Sequence, residues 1–160
     1  MKGFLLDTNH VAAYCRKDPA IMRIIDALPP DTQIRANVIT LGEVEAGHKM
    51  NPTTNQRKRD EYTARLNEKF LPEAINISVN TRFYYADLMG RLYRKYPPAK
   101  GSIGKNKTER YLLETFGVDI NDVWSVAVAW EHGLIFATHD KMERIREVIL
   151  ASEVQFVCWI

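Results

Sequence analysis

Gly3-Phe4-Leu5-Leu6-Asp7-Thr8-Asn9 carries no charge over its first four residues and then turns polar at once. An unbroken apolar run of that length suits a strand buried on both faces, and Asp, Thr and Asn are residues that cap a helix. The stretch reads as a strand feeding directly into a helix. Leu134 to Ala137 is a second run of the same kind, Gln33 to Asn37 is a short strand, and Val154 to Trp159 is a last one, with Ile75-Asn76-Ile77 a further candidate. Helical stretches lie between them. One starts at Asp18-Pro19, a capping residue with proline in the first turn, and stops before Pro29-Pro30. Thr40-Leu41-Gly42-Glu43 fits a capping box opening a helix to about His48, which puts Glu43 in the first turn. Arg57 to Phe70 is a charged helix ended by Pro72, and Asn80 to Tyr96 is another ended by Pro97-Pro98. Asn121 is expected to cap a helix whose apolar face is Val123, Val126, Ala127 and Trp130, closed by His132-Gly133.

Strands alternating with helices imply a parallel sheet covered on both sides. The expected fold is α/β: a three-layer α/β/α sandwich around a mainly parallel central sheet, in one domain spanning residues 1–160. There is no internal repeat or dividing linker. With 46% hydrophobic and 26% charged residues the composition is that of a globular protein, and no apolar run is long enough to span a bilayer. Asp7 interrupts the first apolar run too early for a signal-peptide core, so the cytoplasm is the expected location. Cys15 and Cys158 lie far apart with no Cys/His cluster to make a zinc site, and both read as buried thiols. A net charge of +2 leaves nucleic-acid binding open, so the distribution of positive charge must decide it.

The acids fall in a pattern. Asp7 follows the first strand, Asp140 follows the strand at Leu134 to Ala137, and Glu43 and Asp122 are placed near the starts of two helices. In an open parallel sheet the carboxyl ends of the strands and the helix N-termini share one edge, where ligands bind. Four carboxylates brought together there would repel one another unless a cation balanced them. Oxygen-only ligation suits Mg²⁺ or Mn²⁺, and such ions activate water against a phosphodiester.

Leu5-Leu6-Asp7-Thr8-Asn9, Val38 to Gly47 with Glu43 inside it, Asn121-Asp122 leading into Ala127-Val128-Ala129, and His132 to Asp140 resemble, in order, the successive motifs of the PIN-domain family, and of VapC-type toxins in particular. The resemblance spans almost the whole chain. It implies an Mg²⁺- or Mn²⁺-dependent endoribonuclease, the toxin of a toxin–antitoxin pair, silenced by a cognate antitoxin protein and acting on RNA, with tRNA among the candidate substrates. It places metal ligands at Asp7, Glu43, Asp122 and Asp140, supported through hydrogen bonds by Thr8, Asn9 and Thr138. It also implies a homodimer, for which Val11, Tyr14 and Ile21 offer apolar surface. The segment between Pro97 and Phe116 departs from the family's usual length and basicity.

Each acid also has a plainer explanation: Asp7 as a helix cap, Glu43 as the far half of a capping box, Asp122 as a charge favouring a helix dipole, Asp140 as a turn residue. Asp119 is expected to lie outside the first turn of the Asp122 helix. The histidines show no metal-binding arrangement, although His139 beside Asp140 could touch substrate. Gly101 to Lys105 lacks the spacing and hydroxyl of a phosphate loop. Arg91, Arg94, Lys95, Lys100, Lys105, Lys107 and Arg110, with Tyr93, Tyr96 and Tyr111 among them, form a basic segment suited to an RNA backbone and its bases; Lys100, Lys105 and Lys107 are the candidate RNA-binding residues. A solvated helix face is the alternative. Two other functions compete: a PIN-like module that binds RNA or protein without cutting, and an aspartyl-phosphate phosphotransferase, in which Asn9 would stand where a second acid is usual.

Overall fold

The computed structural model describes residues 3–51, 55–97, 112 and 117–160. Its centre is β1 (Phe4–Leu6), paired in parallel with β2 (Ile34–Arg35) on one side and β3 (Ile135–Ala137) on the other; β4 (Phe156–Val157) joins the far side of β3. The order β2-β1-β3-β4 is parallel throughout, with Leu5 opposite Phe136 and Leu6 opposite Ala137. All strand carboxyl ends therefore point to one edge. At the opposite end Gly3 lets β1 approach the chain before β2, since a Cβ there would fall 2.9 Å from the Gln33 carbonyl oxygen.

Alternation along the strands divides the core. Leu5 and Phe136 face one apolar cluster, which α5 (Thr81–Lys95), α6 (Ile120–Glu131) and α7 (Glu143–Arg146) cover with Leu88, Leu92, Val123, Val126 and Ile145. Leu6 and Ala137 face the other. There α1 (Thr8–Cys15), α2 (Pro19–Ala27), α3 (Val38–Met50) and α4 (Gln56–Phe70) contribute Val11, Ile21, Leu41, Val44, Leu66 and Phe70. This is the expected α/β/α sandwich. Among the described residues no helix is long and apolar enough to cross a membrane.

Several expectations need correction. The strand expected from Gln33 to Asn37 contracts to Ile34–Arg35, because Asn37 turns to cap α3, accepting from the Thr40 N–H at 2.8 Å. Thr40 is thus inside α3, and Glu43 sits in its second turn instead of the first. Ile75 makes a single parallel bridge to Asn37, with no further strand around it. Asp119, not Asn121, caps α6. Val11 and Ile21 are fully buried in the monomer core and cannot supply a dimer surface. Cys15 is buried, its thiol pushed up to about 11 by burial, but Cys158 lies beyond the end of β4 and is exposed.

Two of the three described cations of the basic segment, Arg91 and Lys95, are also committed internally, while Arg94 is exposed. Arg91 forks onto Glu153 at 2.7 and 2.9 Å, pairs with Asp87 at 2.8 Å and stacks over Trp130; Lys95 pairs with Glu147. These bonds pin α5 to the C-terminal segment and leave Arg91 unsuited to RNA. Lys100, Lys105, Lys107, Arg110 and Tyr111 lie outside the described residues.

Candidate metal centre and active site

Asp7 is where the end of β1 becomes the cap of α1. Its backbone N–H donates to the Ala137 carbonyl of β3, and its Oδ1 accepts from the His10 N–H at 2.8 Å. The plain capping role is therefore real. It does not exhaust the residue, because the His10 ring, fully buried, holds Oδ1 through Nδ1 at 2.7 Å and the His139 N–H reaches Oδ2 at 3.2 Å. Trp159 donates its backbone N–H to His10 Nε2 at 3.1 Å, so Nε2 is the accepting nitrogen and Nδ1 carries the proton given to Asp7. Burial would raise the Asp7 carboxyl. The hydrogen bond and electrostatic attraction of the His10 ring, with the His10 N–H and the Thr138 hydroxyl, outweigh it and hold the carboxyl below its ordinary value.

Glu43 and Asp122 are brought to the same edge by two different helices. Thr8 donates its hydroxyl to Glu43 Oε2, and the Asn121 side chain donates to Oε1 at 2.6 Å, so the carboxylate is clamped between α1 and α6. Asp122 shares a reciprocal capping box with Asp119: each accepts the other's backbone N–H at 3.0 Å. Capping again coexists with a shared pocket. Burial first, then the negative charges of Asp119, Asp140 and Glu43, push the Asp122 carboxyl up to about 7, against the lowering effect of the Asp119 N–H. Asp140 is exposed beyond β3, its N–H held by the buried Thr138 hydroxyl at 3.0 Å.

Asp7, Glu43, Asp122 and Asp140 line one pocket of about 420 Å³ at the carboxyl edge of the sheet, with Thr8, Asn9 and Asp119 also in its wall. The supporting residues divide. Thr8 bonds Glu43 and Thr138 bonds the Asp140 backbone, whereas Asn9 is exposed at the rim. The donor chemistry, oxygen throughout, fits Mg²⁺ or Mn²⁺, and the charges of Asp119, Asp140 and Glu43, which add to burial in raising the Asp122 carboxyl, are ones a cation would offset. As placed, however, no three acid, histidine or cysteine side chains among the described residues stand together as a metal-holding group. The hydrogen bonds show why: Asp7 is drawn to His10, Glu43 to Thr8 and Asn121, and Asp122 to the Asp119 N–H.

Sequence reasoning missed His10, Asn121 and the capping role of Asp119. Asn121 reaches Glu43 across 78 residues and His10 reaches Trp159 across 149, beyond any local pattern, although the bond of His10 to Asp7 spans only three. Asp119 carried a local signal, the Asp-x-x-Asp spacing of a capping box, which Asn121 obscured. A larger cavity of about 700 Å³ adjoins the acid pocket and shares Thr8 and Glu43 as a wall; the carboxylates place the chemistry in the smaller one.

No protein-family model matches the sequence, and no curated protein matches it. Solved structures do. A chain of VapBC2 from Rickettsia felis, crystallised with a promoter DNA fragment, aligns over 98% of both chains at 18% identity with a TM-score of 0.69. A chain of DNA-bound VapBC from Salmonella typhimurium aligns over 100% of both at 16% identity and 0.68. VapBC-5 from Mycobacterium tuberculosis, a member of the VapBC family of toxin–antitoxin systems, aligns over 99% of both at 20% identity and 0.58. At such identities the likeness shows the fold, which is PIN-like.

Proposed function

We propose that this chain is a metal-dependent endoribonuclease, the toxin of a VapBC-type toxin–antitoxin pair, using Mg²⁺ or Mn²⁺ against RNA and silenced by a cognate antitoxin protein. It would act in the cytoplasm as a homodimer. The observation that carries the reading is the convergence of Asp7, Glu43, Asp122 and Asp140, from four different points of the chain, on one pocket at the carboxyl edge of a parallel sheet. When bound, the metal supplies a lowered water pKa and charge neutralisation at a phosphodiester. The protein's part is to present the carboxylates. His10 fills the lone pairs of Asp7 Oδ1 with two hydrogen bonds, which leaves the lone pair of Oδ2 not taken by the His139 N–H as the one available to a cation. Thr8 and Asn121 fix the Glu43 carboxylate between two helices, and Asp122 must release its proton before it can serve as a ligand.

The test is RNA cleavage by the purified protein with Mg²⁺. Asp7→Asn and Asp122→Asn should each lower the rate on the order of 100-fold or more while leaving the circular dichroism spectrum unchanged. Cleavage at the wild-type rate by either variant would remove that residue from the site. RNA binding without cleavage would leave a non-catalytic module, and a stable aspartyl phosphate on Asp7 after incubation with a phosphodonor would mean a phosphotransferase.

A further inference from the structure

The cavity of about 700 Å³ beside the carboxylate pocket lies across the Thr8–Glu43 hydrogen bond, between the end of α1, one side of α3 and the start of α4. Four cationic side chains line it: Arg16, Lys17, Lys58 and Arg65. Arg65 is committed, donating to the Cys15 carbonyl at 2.8 Å and lying 3.8 Å from Glu61. Glu61 is itself taken by Arg57 at 3.0 Å, and Glu43 by Thr8 and Asn121 on the far side of the wall. Arg16, Lys17 and Lys58 form no ion pair with a described carboxylate. The cavity therefore holds uncompensated positive charge next to a pocket of crowded negative charge. Its wall also carries two half-buried rings, His48 and Tyr62, stacked with centroids 4.6 Å apart and planes 6° from parallel.

A strand of RNA cannot reach four carboxylates without counter-charge along its path, and it needs a flat apolar face wherever a base leaves its own stack. Both lie one residue pair away from the carboxylates. We infer that this cavity is a nucleotide subsite for single-stranded RNA. The strand crosses the Thr8–Glu43 wall and sets successive phosphates against Arg16, Lys17 and Lys58 and one base on the His48–Tyr62 wall. The volume falls in the range that encloses one small organic ligand, as a single nucleotide is. This assignment rests on the ribonuclease reading above, although binding and cleavage are read separately below.

Lys17 makes a clean variant possible. Its backbone is left-handed, with φ 58°, a region glycine enters at no steric cost. Lys17→Gly therefore removes the charge while easing the backbone, and should melt no lower than wild type. The probe is a fluorescently labelled, unstructured RNA of about ten nucleotides, titrated across a salt series in EDTA so that cleavage plays no part. Combined Lys17→Gly and Lys58→Gln should flatten the log-log salt slope by roughly 1.4, at about 0.7 per phosphate contact. Tyr62→Ala should weaken binding about ten-fold and Tyr62→Phe should restore it. Arg23→Gln with Arg82→Gln, an equal loss of charge elsewhere, should leave the slope unchanged.

An unchanged slope in the Lys17/Lys58 variant, an equal fall in the Arg23/Arg82 control, or no binding by wild type would each overturn the subsite. So would a variant that keeps RNA binding and instead loses capture of an acidic peptide, since the cavity would then be a protein-docking site. A flattened slope in a protein that never cleaves RNA would uphold the subsite while removing the nuclease reading.

Discussion

Asp122 and Asp7 share a pocket, and their carboxyls are pushed in opposite directions. Asp122 rises from 3.8 to about 7, so between those values the folded chain holds a proton that the unfolded chain has released, and stability falls as the pH climbs through that window. Asp122→Asn removes the effect. Without metal the variant should melt with wild type at about pH 4 and several degrees above it at about pH 8; coincident melting at both would mean that the carboxylate bears no burial or repulsion cost. Asp7 runs the other way. Its lowered carboxyl contributes stability that is fully present above 3.8 and lost as the pH falls further. His10 is the cause of most of that lowering, and His10→Leu should weaken Mn²⁺ binding by calorimetry about 10- to 100-fold, with His10→Gln recovering part of the loss because an amide can donate and accept at the same places. Equal Mn²⁺ affinity in wild type and His10→Leu would make the histidine a core residue and nothing more. The Asp7 motif was legible in the sequence, but this histidine was not, because its second partner is Trp159.

At the scale of elements, the ends of α3 and α6 carry the lesson. Thr40-x-x-Glu43 has the spacing of a capping box, yet the cap is Asn37, three residues earlier, and the helix begins at Val38. The chain is fixed there by the Asn37–Ile75 bridge, whose bonds run from the Val38 N–H to Ile75 and from the Ile75 N–H to Ala36. Local spacing was outweighed by a partner far along the chain. The consequence for the site is that Glu43 lies one turn deeper in α3, level with Thr8 and Asn121. Asn37 is buried and does two jobs, capping α3 and donating to the Ser125 hydroxyl of α6 at 3.0 Å. Asn37→Ala should therefore cost about 2–3 kcal/mol in a urea melt, the sum of a lost cap and an unsatisfied buried partner. A cost near zero would show that α3 is held by its apolar face alone.

For the molecule as a whole, the alternation of apolar runs with capped helices sufficed to read a parallel sheet between two helical layers, because strand burial and helix capping both leave marks within a few residues. The pairs that close the molecule left none: Arg91 with Glu153, and His10 with Trp159, join residues whose nearness exists only after folding. Two of the three apolar residues first suited to a dimer face, Val11 and Ile21, were spent on the monomer core, and Tyr14 is half-buried against Phe70. A homodimer is still expected from the resemblance, and sedimentation at micromolar concentration should show twice the monomer mass; monomer alone would refute it. The bond between Trp159 and His10 also bears on the order in which the pocket is completed. A ribosome making this chain exposes Asp7 first and Asp140 much later, but the N–H that orients His10 behind Asp7 arrives only with residue 159. Until then the nascent chain carries its carboxylates without the brace behind the first of them, so the pocket is completed only after residue 159 has left the ribosome.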